Sequence, residues 1–253
     1  MNSEIKNRVP HIIFLYWVIK IASTTLGETG ADMFSMTFNL GYASTILIFM
    51  SLFAGLLAIK LLLKGYNSAA YWAVFTASAI VGTAISDFID RTLKLGYAWG
   101  SLALIISLLI ALAVWYKKDK SIDVEYITSR SSEFFYWICF LIANTLGTAA
   151  GDFLADNMGL GFVKSAVVLS GMLIAMAVLN YLTKISKTLL FWIAFVLTRP
   201  FGATFGDFLT KPVAKGGINF GTIGSSIVFG IILIIAIAQE TRQERTFEQK
   251  NHY

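Results

Sequence analysis

The chain has 253 residues, of which 57% are hydrophobic and 14% are charged, and its mean hydropathy is +0.70. A soluble domain cannot bury so large an apolar fraction, so the composition excludes a soluble protein and predicts an all-α integral membrane protein. The net charge of +5 reflects Lys and Arg in the loops between the apolar runs, and it gives no indication of nucleic-acid binding.

Apolar runs of about 18 or more residues are typical of membrane-spanning helices. In chain order, eight such spans are predicted, at roughly 12–33, 42–63, 70–89, 98–116, 134–153, 163–182, 189–207 and 220–238. The first run lacks a small-residue cleavage site, so we expect it to be retained as a span. The whole chain, 1–253, then forms one membrane domain with a charged connector at 117–133 and a polar C-terminal tail at 240–253.

Lys and Arg are distributed unevenly between the two sides of these spans. Most of them fall on the side that holds both termini and the connector. The positive-inside rule therefore predicts cytoplasmic termini, which corresponds to a multi-pass protein of the cytoplasmic (inner) membrane.

An internal repeat is the clearest pattern in the chain. Each of four tryptophans is followed at fixed offsets by a glycine, an aspartate and a second glycine. The four sets are Trp17, Gly27, Asp32 and Gly41; Trp72, Gly82, Asp87 and Gly96; Trp137, Gly147, Asp152 and Gly161; and Trp192, Gly202, Asp207 and Gly216. The repeats cover approximately 12–66, 67–118, 132–186 and 187–239. Because each repeat has two spans, the four are parallel, which predicts pseudo-symmetry about the membrane normal.

This arrangement resembles a bacterial family of multi-pass membrane proteins built from four tandem repeats, each with two transmembrane helices and a Trp. The resemblance covers nearly the whole chain and rests on the four repeated Trp residues with their Gly and Asp partners. It implies the architecture, whereas no function is established for the family.

Small residues stand four positions after the first glycine of each repeat, which predicts close helix packing. They are Ala31, Ser86, Gly151 and Gly206. The polar residues follow one face of helices 1, 3, 5 and 7, whereas helices 2, 4, 6 and 8 are aliphatic almost all round. We therefore expect the odd-numbered helices inside and the even-numbered helices outside.

The repeated aspartates are the strongest functional candidates, because carboxylates within a membrane are costly and usually functional. The alternative is that each Asp only caps the short segment after it. The candidate ion-binding residues are Asp32, Asp87, Asp152, Asp207, Glu28, Asn144, Thr148 and Arg199. The candidate metal ligands are Glu28, Asp32, Asp87, Asp152 and Asp207.

Two other features have more than one interpretation. Lys20 is either a counter-ion for the acids or a side chain that snorkels to the interface. The four repeat tryptophans are expected to form an aromatic belt at the membrane surface.

The oxygen ligands in this set suit protons and hard cations such as Mg²⁺, Ca²⁺, Mn²⁺ or Na⁺. Tight zinc or copper binding is disfavoured, because Cys139 is the only cysteine and the two histidines lie near the termini. No phosphate-binding loop or catalytic nucleophile is recognisable, so we expect no enzymatic activity and no certain cofactor.

The leading hypothesis is a transporter or exporter of a small cation, most of all a hard divalent metal ion, with proton coupling through the same acids. Its partners are then the lipid bilayer and the cation, and the oligomeric state stays open. The alternative is a non-transporting membrane scaffold, sensor or assembly factor, in which the Gly and Asp repeats serve packing and capping.

Overall fold

The computed structural model describes residues 7–122 and 126–251, so part of the connector at 117–133 and the end of the tail lie outside the described residues. Within these ranges the chain forms eight long α-helices and no β-strand. The helices are α1 (Phe14–Asp32), α2 (Tyr42–Leu62), α3 (Ser68–Asp87), α4 (Tyr97–Asp119), α5 (Arg130–Asp152), α6 (Gly161–Leu182), α7 (Lys187–Thr210) and α8 (Thr222–Asn251). Short π-helical turns follow three of them: π1 (Met33–Thr37), π2 (Phe88–Thr92) and π3 (Phe153–Asn157).

Seven of the eight helices are long and apolar enough to cross a membrane. The prediction of a multi-pass all-α membrane protein is therefore confirmed. The eighth helix, α1, is not among the seven, although its sequence was expected to form a span. It differs from the others in carrying Lys20, Glu28 and Asp32, all of them buried inside the protein.

The odd-numbered helices form a closed inner ring within a single chain, because α1 and α5 each pack against both α3 and α7. Each even-numbered helix packs outside the ring on the odd-numbered helix of the next repeat: α2 on α3, α4 on α5, α6 on α7 and α8 on α1. Between 61% and 72% of the residues in the spans of α3, α5 and α7 are buried, against 17% to 28% in the outer helices. The predicted division into inner and outer helices is confirmed.

The first glycine of each repeat lies where two inner helices touch. In every case the opposing residue stands three positions before the corresponding glycine of the neighbouring helix. The four pairs are Gly27 with Ala79, Gly82 with Asn144, Gly147 with Arg199, and Gly202 with Thr24. A Cβ atom on any of these glycines would overlap its neighbour, so the absence of a side chain permits the close approach.

The second glycine of the first two repeats ends the turn that leads into an outer helix. Gly41 and Gly96 have φ angles of 74° and 80°, and α2 and α4 begin at the next residue. A side chain at either position would be strained in this left-handed backbone conformation, which explains why glycine stands there.

Two of the four repeat tryptophans are buried instead of lying in the expected aromatic belt. Trp72 and Trp137 have no exposed surface and belong to the hydrophobic core, at the end of the ring where the inner helices begin. The Trp72 indole also donates a hydrogen bond of 2.7 Å to Glu240, which is buried although it begins the polar tail. The belt prediction is wrong for these two residues, because packing between inner helices competes with the interfacial preference of Trp.

Candidate cation-binding site

The four repeated aspartates lie at the end of the inner ring opposite the tryptophans. Each is 1–3% exposed, so all four carboxyl groups are buried within the protein. Asp32, Asp87 and Asp152 are each followed directly by a π-helical turn, and none of these three makes a side-chain capping bond to it. Capping therefore does not explain these three, whereas π-helical turns within helices are frequent at functional sites.

Glu28 lies near the middle of the ring and receives three polar contacts on one carboxylate oxygen, Oε2. The guanidinium of Arg199 lies 3.4 Å from it, and the hydroxyls of Thr83 and Thr148 lie 3.2 and 3.4 Å away. These side chains come from α7, α3 and α5, so every inner helix contributes to the environment of this carboxylate. Gly206 of α7 also leaves room for Glu28, because a Cβ there would lie 3.0 Å from the Glu28 Cβ.

Arg199 is buried and connects three inner helices. Besides Glu28, its guanidinium donates to the carbonyl oxygens of Thr24 at 3.3 Å and Ala79 at 3.2 Å, and to the Thr83 hydroxyl. The ion pair with Glu28 identifies Arg199 as the counter-ion of the one acid that only the first repeat carries.

Two further basic side chains contact the repeated aspartates, and neither was among the candidates from the sequence. The Lys211 amine lies 2.6 Å from an Asp32 oxygen and 3.1 Å from an Asp207 oxygen. Arg91 lies 3.2 Å from an Asp87 oxygen and 3.6 Å from an Asp152 oxygen. The four aspartates are thus joined in two pairs, each by one basic side chain.

The sequence had assigned Arg91 and Lys211 to loops, because both follow the ends of predicted spans. The signal that would have found them is their spacing, since each stands four residues after a repeated Asp, on the same side of a helical turn. Burial lowers the pKa of Lys211, but the carboxylates of Asp207 and Asp32 outweigh it and raise that pKa above its ordinary value.

Three of the five predicted metal ligands come close enough to share an ion. One carboxylate oxygen each from Glu28, Asp32 and Asp207 lie within 4.8 Å of one another. Oxygens on opposite sides of a hard cation bound at 2.1–2.6 Å stand about 4–5 Å apart, so the spacing fits such an ion. Asp87 and Asp152 belong instead to the neighbouring group around Arg91.

Several carboxylate oxygens in these groups lack a hydrogen-bond partner within the described part of the chain. They are Asp32 Oδ1, both oxygens of Asp87, Asp152 Oδ2 and Asp207 Oδ1, of which only Asp32 Oδ1 and Asp87 Oδ2 are also outside the ion pairs with Lys211 and Arg91. Buried polar atoms are normally satisfied, so Asp32 Oδ1 and Asp87 Oδ2 have unused capacity to bind a cation, a proton or water.

Asn144 is the one predicted site residue that does not reach the acids. Its side-chain amide donates to Ser78 Oγ at 2.9 Å, and its Cβ packs at the Gly82 contact. Asn144 therefore supports the interface between α3 and α5, whereas Thr148, one helical turn later, reaches Glu28.

The interior of the ring is filled by side chains on the tryptophan side of Arg199. Lys20 is buried, and its amine lies 2.6 Å from the centre of the Phe195 ring and within 5.7 Å of the rings of Phe75 and Phe140. Lys20 occupies the position, three residues after the repeat Trp, at which the other repeats carry these phenylalanines. It is not exposed, and no carboxylate of the described residues forms an ion pair with it, so neither interpretation from the sequence is correct.

Four consecutive segments of the chain match one family model, which is described as a Repeat of Unknown Function (DUF347). The matches cover residues 15–66, 70–121, 135–186 and 190–246, and each begins two residues before a repeat Trp. The resemblance noted from the sequence, to a family of four tandem repeats, is confirmed. Comparison with curated proteins and with solved structures finds no match.

Proposed function

The chain belongs to the DUF347 repeat family, and we propose that it is a membrane transporter of a small cation that binds between α1, α3, α5 and α7. One observation carries the proposal: buried oxygens of Glu28, Asp32 and Asp207 lie within 4.8 Å of one another. Hard divalent cations prefer oxygen ligands of this kind and spacing.

The charges around the site support a cation as the bound species. The candidate site holds five carboxylates, those of Glu28 and the four repeated aspartates, whereas three basic side chains, Arg91, Arg199 and Lys211, contact them. When all groups are ionised, the cluster therefore has an excess of two negative charges. Buried charge is costly unless it is compensated, and one divalent cation or two protons would compensate it.

We further propose that α1 is an eighth membrane span and that the four repeats are related by pseudo-symmetry about the membrane normal. The position of α1 between α3 and α7, with α8 outside it, supports the span. The recurrence of one glycine contact at all four inner interfaces supports the symmetry. The Lys and Arg distribution favours cytoplasmic termini and the inner membrane, with the acids toward the opposite side.

Access to the site is expected from the aspartate end in this conformation. Arg91 and Lys211 are 31% and 17% exposed, whereas the aromatic residues and Lys20 fill the ring toward the tryptophans. Transport then requires a second conformation in which this aromatic layer opens, as in alternating access.

The thermal stability of the purified protein in detergent tests the proposal. A ligand that binds only the folded state raises the melting temperature once its concentration exceeds the dissociation constant. We expect millimolar MgCl₂, CaCl₂ or MnCl₂ to stabilise the wild type and not D207N. D156N is the matched control, because Asp156 is exposed at the same end of the bundle. No stabilisation by any cation, or equal stabilisation of D207N, would contradict a site at these carboxylates.

The alternative function is a membrane scaffold or sensor without transport. The aromatic layer favours it, because Lys20 and the phenylalanine rings around it fill the interior of the ring in this conformation. A scaffold predicts that D207N changes stability only and that no cation response exists to be lost.

A further inference from the structure

The Lys211 side chain occupies the position that a bound cation would take. Its amine lies between Asp32 and Asp207, two of the three residues whose oxygens form the compact acidic group. The second oxygen of Asp32, a residue only 2% exposed, has no hydrogen-bond partner among the described residues and remains available to a larger or more highly charged ion.

We propose that Lys211 is a tethered competitor, whose ammonium group fills the cation site until a divalent cation displaces it. This inference rests on the proposed function, since it concerns the same carboxylates. It assigns Lys211 the role of setting which cations bind.

The backbone around Lys211 is fixed, so the exchange needs only a side-chain movement. The Lys211 carbonyl accepts a hydrogen bond of 3.0 Å from the Asn219 amide. The residues on either side of Asn219 are held in the same way, because the Ile218 and Phe220 amides donate to carbonyl oxygens of α7 at 2.8 Å. The side chain itself is 17% exposed, which leaves a route from the site to the outside.

Arg91 is less suited to the same role. Its guanidinium holds Asp87 and Asp152 and also donates to the Tyr42 hydroxyl at 3.3 Å. A planar guanidinium with several donors keeps such a set of partners together, whereas a lysine ammonium acts as a single point charge on a flexible stem. A cation that displaces Lys211 therefore breaks fewer contacts than one that displaces Arg91.

Displacement favours divalent over monovalent cations. Glu28, Asp32 and Asp207 carry three negative charges, and Arg199 and Lys211 carry two positive charges. A monovalent ion in place of Lys211 leaves the net charge of the group unchanged, so the exchange adds little electrostatic stabilisation. A divalent ion brings the charge of this group to zero, so that only the neighbouring group of Asp87, Asp152 and Arg91 keeps one excess negative charge.

Acetylation of lysines by an amine-reactive reagent, read by mass spectrometry, tests this directly on the wild-type protein in detergent. We expect Lys211 to be protected without divalent cations and to be acetylated severalfold more in millimolar MgCl₂, CaCl₂ or MnCl₂, because its amine leaves the carboxylates. Choline chloride at matched ionic strength leaves it protected. Lys215, which is exposed in the same segment, serves as the internal control and reacts equally in all conditions.

The K211M variant gives an independent measurement. Removing the competitor is expected to lower the apparent Kd for the divalent cation by about tenfold or more, whereas K215M leaves it unchanged. Weaker binding by K211M would overturn the competitor role and make Lys211 part of the binding site.

The outcomes separate the two proposals. If divalent cations stabilise the wild type while Lys211 stays protected, the competitor role is wrong and the cation site stands. If no divalent cation stabilises either the wild type or K211M, both the competitor role and the divalent-cation site are wrong.

Discussion

Replacing Gly82 by alanine should push two inner helices apart. The new Cβ would lie 2.9 Å from the Asn144 Cβ and from the Thr145 backbone nitrogen, where ordinary contacts begin at 3.4 Å. The backbone atom cannot rotate away, so α3 and α5 have to separate by about half an ångström. Overpacking of this kind costs about 1–3 kcal/mol.

The same change has an opposing local effect, because alanine in a helix interior is more stable than glycine by about 1 kcal/mol. Gly171 on the outer helix α6 isolates that effect, since a Cβ there meets no atom within 4 Å. We therefore expect G171A to be slightly more stable than the wild type. The difference between G171A and G82A should equal the overpacking cost alone, about 1–3 kcal/mol.

Equilibrium unfolding in mixed micelles, followed by circular dichroism as SDS is added, measures both free energies of unfolding. Equal stability of G82A and G171A would refute the reasoning, because it would mean that α3 and α5 do not approach closely at Gly82. It would also remove the basis for the glycine contact that recurs around the ring.

Two further substitutions test the buried charges. R199M leaves Glu28 buried without its cation and is expected to lose about 3–5 kcal/mol of unfolding free energy. Adding E28Q to R199M should recover part of this loss in the same SDS titration, and strictly additive losses would contradict the ion pair at 3.4 Å. K20M removes a buried amine that faces aromatic rings, so we expect a gain of about 1–3 kcal/mol; a lower melting temperature would show instead that the Lys20 contacts stabilise the ring.

Much of this fold could be predicted from the sequence, because the same pattern recurs in all four repeats. The polar stripe identified the inner helices, and the small residues identified their contacts. The partners of the outer helices were not accessible, since no local pattern indicates that α2 packs on α3 instead of on α1. Such contacts are set by the closure of the whole ring.

The site was accessible only in part. The repeat pointed to Asp32 and Asp207, and the departure of the first repeat pointed to Glu28. Arg91 and Lys211 were missed because a span defined by apolar residues stops at the first charges, although both side chains reach back to buried carboxylates.

The burial of the tryptophans was missed for a different reason. A preference of Trp for the membrane interface describes side chains that face lipid. Trp72 and Trp137 face neighbouring inner helices, and that orientation depends on how the ring closes.

Cation flux into proteoliposomes tests the central claim most directly. Purified protein would be reconstituted with a divalent-sensitive fluorophore inside the vesicles, and Mg²⁺, Ca²⁺ or Mn²⁺ would be added outside. We expect flux of at least one of these ions through the wild type and D156N, and none above empty vesicles through D207N. Flux that D207N retains would contradict transport through this site. The absence of flux for every cation and proton gradient, with the wild type folded, would favour the membrane scaffold.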